Sequence, residues 1–253
     1  MQVTIIGTGN VATVLGKLIL ANNHSINQVY GRNIDAAILL ANQLNAKPTN
    51  NLSGLNKESD IYVIAVADKS IASVCNDLKL EDKIVVHTAG SVSSIVLQNV
   101  SAIFGVLYPI QSLRKEMDIA TVTIPFLIDG NNKSTQILIE NFAKSLSNKV
   151  TSGNDVTRLQ LHTAAVFSCN FVNYMYLQSA NFCEANNIDF ELLQPLIEET
   201  AFRLRTHHPK DVFTGPAVRK DLQTIEKHID QLNSNLPAQE LYKLMTDMIM
   251  NNY

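Results

Sequence analysis

The chain opens on a strand, a glycine turn and a helix, and that junction constrains everything after it. Val3-Thr4-Ile5-Ile6 is a β-branched apolar run of the kind that fills a buried parallel strand, and Gly7-Thr8-Gly9-Asn10-Val11-Ala12 follows it directly. Each residue type in that turn has a mechanical task in dinucleotide binding. Gly7 allows the tight turn, Gly9 lets a pyrophosphate approach the backbone, and Ala12 is small enough for the helix to pack closely on the strand. The start of the helix then offers free N–H groups and a partial positive charge to phosphates. A GxGxxA match alone also describes an ordinary βα turn. The flanking strand and helix give it weight here, so Gly7, Thr8, Gly9, Asn10, Val11 and Ala12 are the expected cofactor-binding turn.

The helix predicted over Val11 to Ala21 carries Val11, Val14, Leu15, Leu18 and Ile19 on one face, and Ile26 to Tyr30 is the next strand. An NAD enzyme normally places Asp or Glu at the end of that second strand to hold the adenosine ribose. This chain has Gly31-Arg32-Asn33. A guanidinium there can clamp a 2′-phosphate bidentately but offers the free 2′-hydroxyl of NAD no acceptor, so the expected cofactor is NADP(H). Asp35 fits better as an early residue of the helix Ile34 to Leu44.

Further along, Asp60 to Val66 reads as a buried strand, and Val66-Ala67-Asp68 turns into a helix over Lys69 to Leu78. Lys83 to His87 is a strand ending in His87-Thr88-Ala89-Gly90-Ser91. Ala102 to Leu107 and Thr121 to Ile128 are further strands, the first closed by Tyr108-Pro109-Ile110-Gln111-Ser112, and Gln136 to Leu146 is helical. Six or seven strands alternating with helices predict an α/β fold, a doubly wound Rossmann-like domain over residues 1–152. Ligands of such sheets bind beyond the carboxyl ends of the strands. Val66, Ala67 and Asp68 are therefore expected at the nucleotide, and Thr88, Ser91 and Gln111 toward the nicotinamide or substrate.

From Gly153 the pattern is helix only, predicting an all-α C-terminal domain over residues 153–253. Asp155 to Ala185 has no Pro or Gly and reads as one long buried interior helix. His162, Asn170, Asn173, Gln178 and Asn181 interrupt its apolar run, which argues against a membrane span. At 100° per residue His162, Asn170, Asn173 and Asn181 share an arc of roughly 100°, a polar stripe that either lines a wet cleft or satisfies neighbouring backbone groups. Asp189 is the expected N-cap of a helix to Arg205 that tolerates Pro195 near its start. Thr214-Gly215-Pro216-Ala217 is expected to open another helix, with Val218, Leu222, Ile225, Ile229 and Leu232 as its apolar stripe. A last helix runs from about Ala238 to Met250.

Composition excludes several classes. A net charge of −3 over 253 residues gives no basic field for nucleic acid or an anionic membrane. Cys75, Cys169 and Cys183 are far apart and odd in number, so no disulfide framework is expected. His207-His208 lacks companions at metal spacing, and no metal site is expected. No basic segment precedes the first apolar stretch, which is not the form of a secretory leader, and the expected location is cytoplasmic. The helical half carries more apolar surface than one Rossmann domain can cover, so a homodimer is expected through residues after Gly153. A two-fold axis would bring Thr214 to Asp221 of one subunit toward the cleft of the other, making Arg219 a candidate substrate contact.

The glycine turn, GRN after the second strand, HTAGS, YPIQS, LHTAAVFSCNFVNYM and TGPAVRKD together resemble the Rossmann-like DUF2520 proteins over essentially the whole chain. The resemblance implies an NADP oxidoreductase similar in architecture to pyrroline-5-carboxylate reductase, 6-phosphogluconate dehydrogenase and F420-dependent NADP reductase. In β-hydroxyacid dehydrogenases the long helix carries a catalytic Lys one turn before an Asn. Asn170 fits that Asn, while Val166 and Phe167 stand where the Lys would be. Reduction of a ketone leaves an alkoxide that needs a proton, and His162 or His87 could supply it; a protonated imine is less demanding. The expected function is hydride transfer to or from a small polar keto or imino metabolite, with His162, Asn170 and His87 as catalytic candidates and Asn173 as a further substrate contact. A non-catalytic NADP(H) sensor acting through a protein partner is the alternative. A flavin or S-adenosylmethionine binder would want an acidic residue where Arg32 stands.

Overall fold

The computed structural model describes residues 1–252, which form two compact units divided between Asn170 and Phe171. The first unit is built on an eight-stranded sheet. In chain order its strands are β1 (Gln2–Ile6), β2 (Ser25–Tyr30), β3 (Lys47–Thr49), β4 (Ile61–Ile64), β5 (Glu81–His87), β6 (Ser101–Pro109), β7 (Phe126–Gly130) and β8 (Val150–Ser152). Their spatial order is β3-β2-β1-β4-β5-β6-β7-β8, parallel throughout except for the β6–β7 pair. Helices α1 (Asn10–Ala21), α2 (Ile34–Gln43), α3 (Asp68–Asn76) and α4 (Lys133–Leu146) complete the crossovers.

The apolar runs of β1, β4 and β5 are continuous because helices cover both faces of the sheet. Val3, Ile5, Val63 and Val86 pack on one side with Val14, Leu15 and Ile19 of α1. Ile6, Tyr62, Ile64 and Val85 pack on the other with Ile71 and Val74 of α3. Successive strand residues thus serve opposite cores. Strand order reverses between β1 and β4, whose carboxyl ends lead into α1 and α3. That is the switch point at which sheets of this kind leave an open crevice.

Three differences from the sequence reading concern strands. The three-residue edge strands β3 and β8 were not expected, because neither is long enough to show an alternating pattern. The strand expected over Thr121 to Ile128 begins instead at Phe126 and runs antiparallel to β6. Pro125 marks the break, and its carbonyl accepts from Ile110 N–H at 2.8 Å.

The long helix of the sequence reading is interrupted. It consists of α5 (Asp155–Ala165), a π-helical segment Val166–Phe171 and α6 (Val172–Ala185). The wider π turn breaks the constant 100° step, so the arc drawn through His162, Asn170, Asn173 and Asn181 does not carry across it. Nor is this stretch an interior helix within the single chain. Arg158 is the one buried residue of α5 and Cys183 that of α6, while Phe167 is 65% and Leu177 51% exposed. The expected boundary after residue 152 also differs from the division at Asn170. Helix α5 stays with the sheet because Leu161 packs on Val106, Tyr108 and Leu127 and Arg158 bonds to the loop after β5.

The second unit contains α6, α7 (Gln194–Arg203), α8 (Leu222–Gln231) and α9 (Leu236–Asn252). Asp189 caps the short 3-10 turn Phe190–Leu193 that precedes α7, and Pro195 sits in the first turn of α7. The helix expected from Pro216 does not form. Gly215 (φ +111°) and Lys220 (φ +53°) hold the segment in turns, and α8 starts after Asp221, whose carboxylate accepts from Thr224 N–H. Asp221 is therefore a cap. No helix among the described residues is long and apolar enough to cross a membrane.

Candidate functional site

The glycine turn has the shape its sequence requires. Gly7 adopts φ +136°, and a Cβ there would lie 2.2 Å from the Ala65 carbonyl oxygen on the neighbouring strand. Its N–H donates to Tyr30 O at 2.8 Å, so β1, β2 and β4 all meet at this residue. Thr8 packs on Gly31, where a Cβ would come within 2.6 Å of the Thr8 methyl. Gly9 is different: its φ of −84° is ordinary, and a Cβ would meet nothing within 4 Å.

Helix α1 begins at Gly9 with no side-chain cap, and α3 begins the same way at Ala67. By contrast, α2, α4, α5 and α8 are capped by Asn33, Asn132, Asn154 and Asp221. The two helix N-termini flanking the switch point are thus left without a side chain on their orphan N–H groups, and open space lies over Gly9. A pyrophosphate fits that donor set. Ala12 is buried at the helix–strand contact, and Asn10 Oδ1 accepts from Lys115 N–H at 3.3 Å. Arg32 is exposed and makes no ion pair or hydrogen bond among the described residues. Asn33 is occupied as the cap of α2, accepting from Ala36 N–H at 3.0 Å, and Asp35 lies in the first turn of that helix.

At the next strand ends the sequence candidates separate. His87 is fully buried, and its Nδ1 accepts from Ala89 N–H at 3.2 Å. Burial and then the Arg158 guanidinium push its pKa down from 6.5 to about 4. Its ring is buried and held neutral, and its Nε2 has no partner among the described residues. A folded chain that keeps His87 neutral binds fewer protons than the unfolded chain between those two values. Stability is therefore full above about pH 6.5 and falls toward pH 4, by up to about 3 kcal/mol. Urea melts across that range should show the loss, and a His87→Leu chain should lack that part of it. Equal pH dependence in both would contradict the assignment.

Thr88 is buried, with its hydroxyl directed at Ile64 O at 3.4 Å. Ser91 donates to Asp68 Oδ2 at 2.6 Å, joining the ends of β4 and β5. Gln111 is exposed and its Oε1 accepts from Ser112 N–H. Val66 is half-buried and Ala67 is exposed at the start of α3.

His162 sits at the carboxyl ends of β5 and β6. Its Nδ1 is 3.0 Å from the Tyr108 hydroxyl at the end of β6, and its ring lies against Gly90 at the end of β5. Nε2 has no partner among the described residues and is not buried. Burial and the nearby Asp68 push the Tyr108 hydroxyl up from its ordinary value, so it keeps its proton. Sequence reasoning did not single out Tyr108, although YPIQS marked the strand end it occupies.

An ion pair made by a buried arginine was also missed. Arg158, 1% exposed, donates from Nη2 to Asp155 Oδ1 at 2.8 Å and to the Val92 carbonyl, while Nε and Nη1 have no partner among the described residues. Burial of Asp155 works against its ionisation, but hydrogen bonds from Ser93 and Arg158 outweigh it and hold the carboxyl below the usual range. The pair ties the first turn of α5 to the HTAGS loop. The Asp-x-x-Arg spacing at one helix turn was its only sequence signal.

Asn170 is exposed within the π segment, and Asn173 is exposed on α6 in the other unit. Arg219 is exposed in the turns before α8, and His207 and His208 are exposed in their loop. No group of metal-ligating side chains occurs among the described residues.

A doubly wound sheet with an open glycine turn at its switch point defines the dinucleotide-binding class. Comparison with known proteins makes this specific. A family model for NADP oxidoreductases, coenzyme F420-dependent, matches residues 2–90, and the domain of unknown function DUF2520 matches residues 124–249. The crystal structure of a Bacteroides fragilis protein described as an NADP oxidoreductase is 33% identical and superposes with a TM-score of 0.92, covering 99% of this chain and 98% of its own. The chain belongs to this family of NADP oxidoreductases with a DUF2520 helical half, and is thereby an oxidoreductase of the NADP(H) class. An imine reductase from Myxococcus stipitatus in complex with NADP+ (17% identity, TM-score 0.68, coverage 99% and 93%) has the same fold. So does a reductive aminase from Aspergillus terreus in complex with NADPH and ethyl-5-oxohexanoate (16%, 0.71, 98% and 94%). A search of curated proteins found no match.

Proposed function

We propose that the protein reduces the C=O or C=N group of a small polar metabolite at the carboxyl ends of β4, β5 and β6. When bound, NADPH supplies the hydride. The observation that carries the reading is the accessible, unpartnered Nε2 of His162, on a ring held between Gly90 and Tyr108 beside the glycine turn's end of the sheet. When a C=O is reduced, the oxygen that gains negative charge needs a hydrogen bond, and the Nε2 side of His162 provides it; a protonated C=N becomes a neutral amine and needs only to be held in place. Folds shared with an imine reductase and a reductive aminase favour a C=N substrate. Thr88, Ser91 and Gln111 remain proposed contacts of the metabolite, Asn170 a proposed catalytic residue, and the cytoplasm the proposed compartment.

The test is NADPH consumption with a panel of cyclic imines, ketones offered with ammonia, and keto acids. Turnover with a panel member supports the reductase. Tight nucleotide binding without turnover, together with a partner interaction altered by nucleotide, would support an NADP(H) sensor instead.

Arg32 carries the cofactor choice. It follows β2, where the adenosine ribose lies in this fold, and it makes no ion pair among the described residues. Arg32→Ala should weaken NADPH binding by about 1 to 3 kcal/mol while leaving NADH nearly unchanged. Isothermal titration reads both, and equal losses would remove Arg32 as the discriminator.

We also propose a homodimer through the helices. Few residues of the second unit are buried, Leu196 (62%) and Leu244 (58%) stand exposed, and a groove of about 740 Å³ opens among Met175, Phe182, Leu241 and Met245. Continuous apolar surface of this kind normally marks association. Sedimentation at micromolar concentration should give twice the 28.0 kDa chain mass. A monomer would contradict it.

A further inference from the structure

We propose that Tyr108 and Gly90 are positioning residues that hold His162 as the tautomer protonated on Nε2, with that N–H free for the substrate. This deepens the role given to His162 above and rests on that reading for its function, though not for its geometry.

The argument begins with the phenol. Tyr108 is 7% exposed, and among the described residues its hydroxyl has one hydrogen-bond partner, His162 Nδ1 at 3.0 Å. A hydroxyl on a largely buried side chain that keeps its proton is best satisfied by donating it, and Nδ1 is its one acceptor among the described residues. A neutral imidazole that accepts at Nδ1 carries its proton on Nε2. The opposite arrangement, Nδ1–H donating to the phenol oxygen, would leave the Tyr108 O–H without an acceptor. The two rings meet edge to face at 5.9 Å and 80°, which fixes the imidazole plane as well as its bond.

Gly90 makes room for this arrangement. A Cβ at that position would lie 2.7 Å from His162 Nδ1 and 2.8 Å from Cγ, so a side chain there would push the ring off the phenol. HTAGS, YPIQS and LHTAAV, far apart in the sequence, thus converge on one ring. The HTAGS glycine acts as a slot, the YPIQS tyrosine as an anchor, and the LHTAAV histidine as the group they present. A neutral ring with a fixed N–H can stabilise charge developing on the substrate without first acquiring a proton.

Ring-nitrogen NMR of the full-length, histidine-labelled protein without nucleotide tests this, at a pH above the ordinary imidazole range and with His162→Gln for assignment. The wild-type ring should show a single tautomer protonated on Nε2. Tyr108→Phe, which removes one oxygen, should replace that pattern with exchange between two tautomers, and Gly90→Ala should do the same by displacing the ring. A wild-type ring protonated on Nδ1 would overturn the proposal whatever the variants do. So would a folded Tyr108→Phe chain with unchanged ring signals. Because no nucleotide or substrate is present, failure of the reductase reading and failure of this one are separate results.

Discussion

Replacing His162 by Ala is expected to lower kcat by about 10² to 10³-fold, the range for loss of a preorganised hydrogen-bond donor, while leaving NADPH affinity nearly unchanged. The separation follows from geometry. His162 stands on α5 against Gly90 and Tyr108, whereas the proposed phosphate donors are the first N–H groups of α1, just after its N-cap Gly9. The ring is half-exposed and none of the buried core clusters includes it, so its loss should cost little stability. Rapid-mixing kinetics with a turned-over substrate, alongside titration of the nucleotide, would show the split. A variant with undiminished kcat would remove His162 from the chemistry.

The two glycines of the turn should fail in different ways. Gly7→Ala places a methyl 2.2 Å from the Ala65 carbonyl oxygen in a backbone conformation that L residues rarely adopt. Strand β4 cannot retreat, because it is paired to β1 through Ile6 and Ile64 and to β5 on its other side. Strain and overpacking of about 1 to 3 kcal/mol each predict a loss of about 2 to 6 kcal/mol, a fall in Tm on the order of 10 °C. Gly9→Ala adds its methyl where nothing lies within 4 Å and φ is −84°, so the fold should be unaffected. The same methyl enters the space a pyrophosphate would take, and NADPH affinity should fall about tenfold or more, the equivalent of roughly 1.4 kcal/mol. Thermal melts and titrations of both variants check this. Equal melting losses for the two would contradict the division of labour.

The parts of the fold legible in sequence are those where local chemistry and tertiary role coincide. The Val3–Ile6 run, the glycine turn and the amphipathic α1 all point to one structure, and their ranges agree with the sequence reading to within a residue. Edge strands β3 and β8 were not legible, because three residues cannot show a period. The π segment Val166–Phe171 was not legible either, since a π turn has no residue signature of its own and Asp155 to Ala185 contains no breaker. The start of α8 was misplaced because Pro216 imitates a first-turn proline, whereas Asp221 supplies the cap and the left-handed Lys220 ends the preceding turn.

The site divides in the same manner. Gly7, which acts through its left-handed backbone, and Ala12, which acts through close packing, could be read directly. Residues that act through a long-range pairing could not. His87 and His162 were equal candidates in the sequence, and only tertiary placement separates a buried imidazole bonded to its own turn from one facing solvent. Tyr108 gained a role only from its contact with His162, and Arg158 was passed over because arginine is normally a surface residue.

The central claim is that a nicotinamide nucleotide lies across the switch point and delivers its reactive end to His162. A crystal structure of the NADP+ complex tests it most directly. The account predicts the pyrophosphate on the first N–H groups of α1 over Gly9, the 2′-phosphate on Arg32, and the nicotinamide at the HTAGS turn within reach of His162 Nε2. A nucleotide bound away from Gly9, or a nicotinamide directed away from His162, would contradict it.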